Sequence, residues 1–276
     1  MPRIPSSFTR WATIRIGLLV GLTLAIPAAS DTGELTASYT RYKEALNGKD
    51  YATALVYARK SDQLAAEQLA ENDPRKATLA YNLGTLYYRL DRHKDAVEPL
   101  ARATEAYRTL HGPESMETLP SLQRLALNYQ ALQNWREAEK SYLAAVRVIE
   151  ASEGRKSETL APILIQLGSV AEAQAAYKRQ QNYGRRALYL YDQAGKSRGL
   201  ESARIHVDLV GAEMQLGDAA RVNQHMEWAI EIYDEKLSPD DPLLLEIYTL
   251  ASQVYEKTGR ETEARKYRRR ARELTP

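Results

Sequence analysis

Apolar side chains recur every three or four residues along most of the chain, the spacing of helices that bury one stripe. Leu79, Leu83, Leu86 and Leu90 make one such run, and Ala96, Leu100, Ala103 and Tyr107 carry the same period beyond Asp91-Arg92. The interruption reads as a turn between two helices. Joints rich in helix breakers then separate one pair from the next: Asn72-Asp73-Pro74, His111-Gly112-Pro113, Gly154, Gly195 with Gly199, and Ser238-Pro239-Asp240-Asp241-Pro242. Pro120 and Pro162 fall in first turns, where a missing N–H costs nothing. Strand-like alternation is absent from the sequence, so the pattern predicts an all-α chain built from helix pairs.

The pairs repeat. Leu83-Gly84, Tyr87, Ala96 and Ala103 return 42 residues later as Leu125-Ala126, Tyr129, Ala138 and Ala145. The step then gives Leu167-Gly168 and Ala187, next Leu209 and Ala229, and last Tyr255, Ala264 and Ala271. One column reads Ser61, Ala103, Ala145, Ala187, Ala229, Ala271 without an insertion. Short side chains in register mark where helices approach to about 8–10 Å, since larger ones would hold them apart. A lone hairpin of this kind cannot cover its apolar face, whereas stacked hairpins cover one another. The register predicts about six helix-turn-helix units, starting near residues 35, 77, 119, 161, 203 and 245, over residues 31–276.

The order Leu-Gly/Ala, Tyr three later, Ala nine later and Ala seven after that resembles the tetratricopeptide repeat. The common unit of that family is about 34 residues, and the longer period here resembles its kinesin-light-chain type. Asn82-Leu83-Gly84, Asp95-Ala96-Val97-Glu98-Pro99-Leu100, Trp135-Arg136-Glu137-Ala138-Glu139 and Gly112-Pro113-Glu114 are similar to that type's strings. The resemblance implies a right-handed solenoid and tolerance of Pro99 inside a helix. The fourth and fifth units depart from it. Ala171, Gln180 and Gly184 stand where Tyr, Ala and a larger apolar residue are expected, and Glu213 stands at a Tyr position. Gly184 costs about 1 kcal/mol relative to Ala within a helix, which marks the fourth unit as the expected soft point.

The same resemblance implies a concave groove, lined by the first helix of each pair, that receives a peptide or a partner helix. Carried over position by position, the groove holds Tyr39, Lys43, Tyr81, Asn82, Thr85, Tyr88, Arg89, Gln123, Arg124, Leu127, Gln130 and Ile165, with Gln166 and Ser169 beside them. Asp208, Gln215, Glu246, Gln253 and Glu256 share that face toward the C-terminus. The groove is thus expected to be basic and tyrosine-rich at one end and acidic at the other. Tyrosine suits both an interface anchor and packing between units, because its ring buries area while its hydroxyl stays polar. Some relatives clamp a terminal carboxylate; Asn82 and Arg124 match two clamp positions, whereas Lys43 and Pro120 replace the expected Asn and Lys.

Composition narrows the setting. Of 276 residues 44% are hydrophobic and 27% charged, net charge is +2, and cysteine is absent. Disulfides, thiolate metal sites and a catalytic cysteine are excluded, and no whole-molecule field points to nucleic acid. Arg3, Arg10 and Arg15, the apolar run Ile16 to Ile26, and Ala28-Ala29-Ser30 have the layout of a secretory signal over residues 1–30. The run is shorter than the ~20 residues a membrane span needs. Cleavage would leave 35 basic and 36 acidic residues, as expected of an exported, periplasmic chain. Near the C-terminus, Arg265-Lys266-Tyr267-Arg268-Arg269-Arg270-Ala271-Arg272 reads as a solvated cap, with cations suited to a helix C-terminus.

No catalytic signature is present: there is no Gly-x-Ser-x-Gly, phosphate loop, His-Glu-x-x-His or dinucleotide fingerprint. His93, His111, His206 and His225 read as scattered over different units, without paired ligand spacing. The expectation is a non-enzymatic scaffold that binds a protein or peptide, with no catalytic residue, metal, cofactor, nucleic acid or small-molecule substrate. Two alternatives stand beside it. One is a self-associating structural component, a homo-oligomer; the other is a membrane-tethered subunit of an envelope complex that keeps its N-terminal anchor.

Overall fold

The computed structural model describes residues 33–274, so the signal segment expected over residues 1–30 lies outside the described residues. Among the described residues there are twelve α-helices and no strand. The chain divides into two compact units, residues 1–152 and 153–276. The first contains α1 (Gly33–Asn47), α2 (Tyr51–Gln68), α3 (Pro74–Arg89), α4 (His93–His111), α5 (Leu119–Ala131) and α6 (Trp135–Glu153), the last ending at the boundary. The second contains α7 (Leu160–Ala173), α8 (Tyr177–Gln193), α9 (Leu200–Leu216), α10 (Ala219–Lys236), α11 (Pro242–Lys257) and α12 (Glu261–Glu273).

Each hairpin turns through one residue in the left-handed region. These residues are Lys49, Asp91, Gln133, Ala175, Gly217 and Gly259, with φ of 59°, 56°, 57°, 54°, 78° and 78°. They recur at the repeat period. The reversal sends the next N–H back to a carbonyl five residues earlier, closing the helix end. Thus Arg92 N donates to Tyr87 O at 2.9 Å and Ala176 N to Ala171 O at 2.8 Å. The following helices are entered by varied means. Asp50 and Asp218 cap α2 and α10 by accepting from Thr53 N and Arg221 N, each at 3.1 Å.

The small-residue column lies at the core of the hairpins. Ser61, Ala103, Ala145, Ala187 and Ala229 are fully buried and Ala271 nearly so. Gly84 admits Leu100 of α4 so closely that an added Cβ would stand 2.5 Å from its Cγ. Gly184 plays a like part between hairpins, since a Cβ there would meet Leu209 of α9 at 2.9 Å. Its helix-propensity cost therefore accompanies a close α8–α9 approach. Pro99 sits within α4, and the helix continues through it to His111.

Polar contacts fix neighbouring hairpins within each unit. Asn128 is fully buried, donates to the backbone oxygen of His93 at 2.8 Å, and lies 3.2 Å from that ring's Nδ1. In the second unit Tyr248 and Arg270 both reach Asp234, at 2.5 and 2.7 Å.

Candidate partner-binding groove

In the first unit α1, α3 and α5 carry the expected groove residues, and the structure sorts them by depth. Tyr39, Tyr81, Asn82 and Gln123 are buried in the groove wall. Tyr81 is only 1% exposed, and burial raises its pKa against the opposing effects of Arg124 and Thr85. Its ring packs the wall and offers no free area. Asn82 is likewise buried, with its amide nitrogen lacking a partner, so a terminal carboxylate could reach it only if the wall opened. Thr85, Tyr88, Arg124, Leu127 and Gln130 are half-buried, while Lys43 and Arg89 stand exposed.

Cations from these helices lie over tyrosine rings, two on the same helices and one, Tyr51, at the start of α2. Lys43 Nζ is 5.0 Å from the Tyr39 ring centre, Arg89 is 5.6 Å from that of Tyr51, and Arg124 is 5.0 Å from that of Tyr88. Such stacking holds a long side chain flat at about 0.5–1 kcal/mol when exposed, and leaves the charge available. Gln130 accepts from the Tyr142 hydroxyl at 2.8 Å, which fixes its side chain against α6.

Ile165 belongs to the second unit, where it is buried on α7. The groove positions expected in that unit, Asp208, Gln215, Glu246, Gln253 and Glu256, are all exposed. Glu256 is engaged by Arg268 at 3.0 Å. In the basic C-terminal run, Arg270 pairs with Asp234 at 2.7 Å and stacks 4.1 Å from the Tyr248 ring centre. Tyr267 and Ala271 of that run pack inward.

Two constellations were not foreseen. Glu213, at a position that holds Tyr in other repeats, is fully buried. It accepts from Gln181 Nε2 at 2.7 Å and Arg185 at 3.3 Å, with Arg221 at 3.9 Å. The reading of the histidines as scattered is corrected: His206 and His225 face each other across the α9–α10 hairpin, Nδ1 to Nδ1, at 3.0 Å. Burial lowers the pKa of each to about 4, with His225 adding to the effect at His206, and Arg185 and Arg221 adding to it at His225. The repeat register carried the signal. The equivalent pair in the first unit is Ser38 and Tyr57, where the hydroxyl meets the Tyr57 carbonyl at 3.2 Å; in the last it is Tyr248 and Tyr267, rings 5.9 Å apart.

Among the described residues no group of three His, Asp or Glu could hold a metal, and no helix is long and apolar enough to cross a membrane.

Two segments, residues 77–115 and 245–276, match family models of the tetratricopeptide repeat. No curated protein matches the chain in sequence. Solved structures do resemble it. Nearly identical TPR-like repeats of a Podosopora anserina kinesin-light-chain-type protein are 15% identical with a TM-score of 0.63, covering 76% of this chain and 100% of that one. BtubC (BKLC) from P. vanneervenii is 18% identical with a TM-score of 0.56, over 75% and 92%. MamA from Desulfovibrio magneticus RS-1, residues 41 to the end, is 15% identical with a TM-score of 0.57, over 76% and 100%. At these identities the likeness establishes the fold, an all-α solenoid of helical hairpins.

Proposed function

Because the chain is a tetratricopeptide-repeat protein, we propose that it is a non-enzymatic adaptor, exported to the periplasm, that holds an acidic segment of a protein partner against α1, α3 and α5. The observation that carries this reading is the pairing of exposed Lys43 and Arg89 with tyrosine rings, while neither cation has a carboxylate partner among the described residues. Both charges are therefore held in place and unneutralised. Tyr88 and Leu127 supply half-buried apolar area beside them, so charge would set orientation and the rings would supply contact. The layout of residues 1–30 supports export.

The test is affinity capture from an envelope extract, followed by binding of the purified partner. Wild type is compared with Lys43→Glu/Arg89→Glu, whose exposed positions leave the core untouched. Loss of the partner from the double variant, and weakening of wild-type binding by salt, would support the reading. Equal recovery by both proteins would refute this groove as the site.

A further inference from the structure

Two departures of the fourth repeat, Gln180 and Gly184, line one cleft. The cleft opens in the second unit with α7 and α9 as walls and α8 as floor. Gly168 faces no atom within 4 Å of its would-be Cβ, and Gln180 occupies the column that holds Ala54, Ala96, Ala138 and Ala264 elsewhere. Replacing a methyl with a carboxamide puts a polar group at the floor of the recess.

That carboxamide is only 4% exposed. Its Nε2 donates to the Asp208 carbonyl at 3.3 Å, which leaves Oε1 as the atom without a partner. A buried acceptor left unsatisfied costs about 1–3 kcal/mol, so its persistence calls for a donor. Glu172 and Asp208 line the same cleft, and neither makes an ion pair among the described residues. Burial raises the pKa of Glu172. Asp208 opens to solvent at the mouth, which tempers the effect, yet the surrounding protein pushes it up to about 7, with Arg204 opposing and Glu172 and Glu201 adding to the rise. Arg204 itself is engaged with Glu201 at 3.2 Å. Gln180, Glu172 and Asp208 thus line one recess whose remaining walls include Leu164, Ile165 and Leu209.

We propose that this cleft receives a lysine side chain of the protein partner, its ammonium donating to Gln180 Oε1, Glu172 and Asp208. An ammonium carries three donors, and its aliphatic stem lies well along apolar walls. The base of the cleft has about 20 Å³ of room for a water-sized group, and an ammonium is a more compact donor than a planar guanidinium. The inference deepens the adaptor reading and rests on it for the partner's being a protein.

The experiment is methyl and side-chain-amide NMR on the full chain at pH 7.5, titrated with N-acetyl-lysine methylamide, its Nε-acetylated form and the arginine analogue. Saturable shifts confined to Ile165, Leu209 and the Gln180 amide are expected in the millimolar range with lysine, and binding about tenfold weaker with the other two, because the charge-assisted donors are lost or misfit. Gln180→Ala restores the small residue used by other repeats, so the fold holds while the acceptor goes. It and Glu172→Gln/Asp208→Asn should each weaken lysine binding about tenfold with unchanged circular dichroism. Equal response to the Nε-acetylated probe, wild-type affinity in these variants, or no saturable shift at tens of millimolar would overturn the proposal. Lys43→Glu/Arg89→Glu should bind the lysine probe normally. A failed groove therefore leaves the cleft result standing, and a failed cleft leaves partner capture by α1, α3 and α5 intact.

Discussion

The buried histidine pair makes the second unit sensitive to acid, in a direction and size that can be worked out. His206 and His225 are 8% and 6% exposed, and burial holds each pKa near 4, below the 6.5 of a free imidazole. The unfolded chain therefore binds protons first as pH falls. Stability is complete above about 6.5 and is lost progressively down to about 4. For one histidine with these values, the loss between pH 7 and pH 5 is about 2 kcal/mol, and the pair can lose up to about 4 kcal/mol. Asp208 acts oppositely: its raised pKa makes the folded state bind its proton first, adding stability as pH falls through about 7. Comparison of wild type with His225→Gln cancels that contribution, because the variant keeps Asp208 and an amide able to meet His206. With Trp11 and Trp135 replaced by Phe in both proteins, urea unfolding followed by fluorescence of Trp228, whose ring lies 5.1 Å from His206 and 5.6 Å from His225, reads the same unit. The wild type should lose about 2 kcal/mol more than the variant between pH 7 and pH 5. Equal losses, or folded-state histidine resonances titrating near 6.5, would refute the reasoning.

Two other substitutions probe the repeat directly. Ala103→Leu places three extra carbons in a fully buried contact column and should destabilise the first unit by about 1–3 kcal/mol in chemical denaturation, with partner-face residues unchanged. Ala175→Gly relieves a left-handed residue at φ 54° and should raise stability by about 0.5–1 kcal/mol in the same assay, despite the added freedom of the unfolded chain; a loss would show that the turn is not strained.

The architecture was legible because packing repeats its demands at every period. Ala96, Ala103, Ala138 and Ala145 are small where helices touch, and a 42-residue step finds them without any structure. The left-handed column follows the same period but was invisible, since Lys49, Asp91, Gln133, Ala175 and two glycines share a backbone angle and no side-chain chemistry. At the groove, residue type could not separate anchor from wall: Tyr81 and Tyr88 differ by seven residues and occupy similar faces, yet one is buried and the other half-buried. The contact of His206 with His225 depends on two helices meeting across a turn. Only the register, read through Tyr248 and Tyr267 or Ser38 and Tyr57, places those positions together. Gln180 and Glu213 were visible as departures from the pattern, but what they contact was not.

The most direct test of the adaptor function is amide hydrogen exchange on the chain with and without its purified partner. Protection confined to exposed and half-buried stretches of α1, α3 and α5, around Lys43, Tyr88, Arg89 and Leu127, is the expected result. Protection restricted to α2, α4 and α6, or exchange unchanged throughout the first unit while the partner is bound, would contradict it.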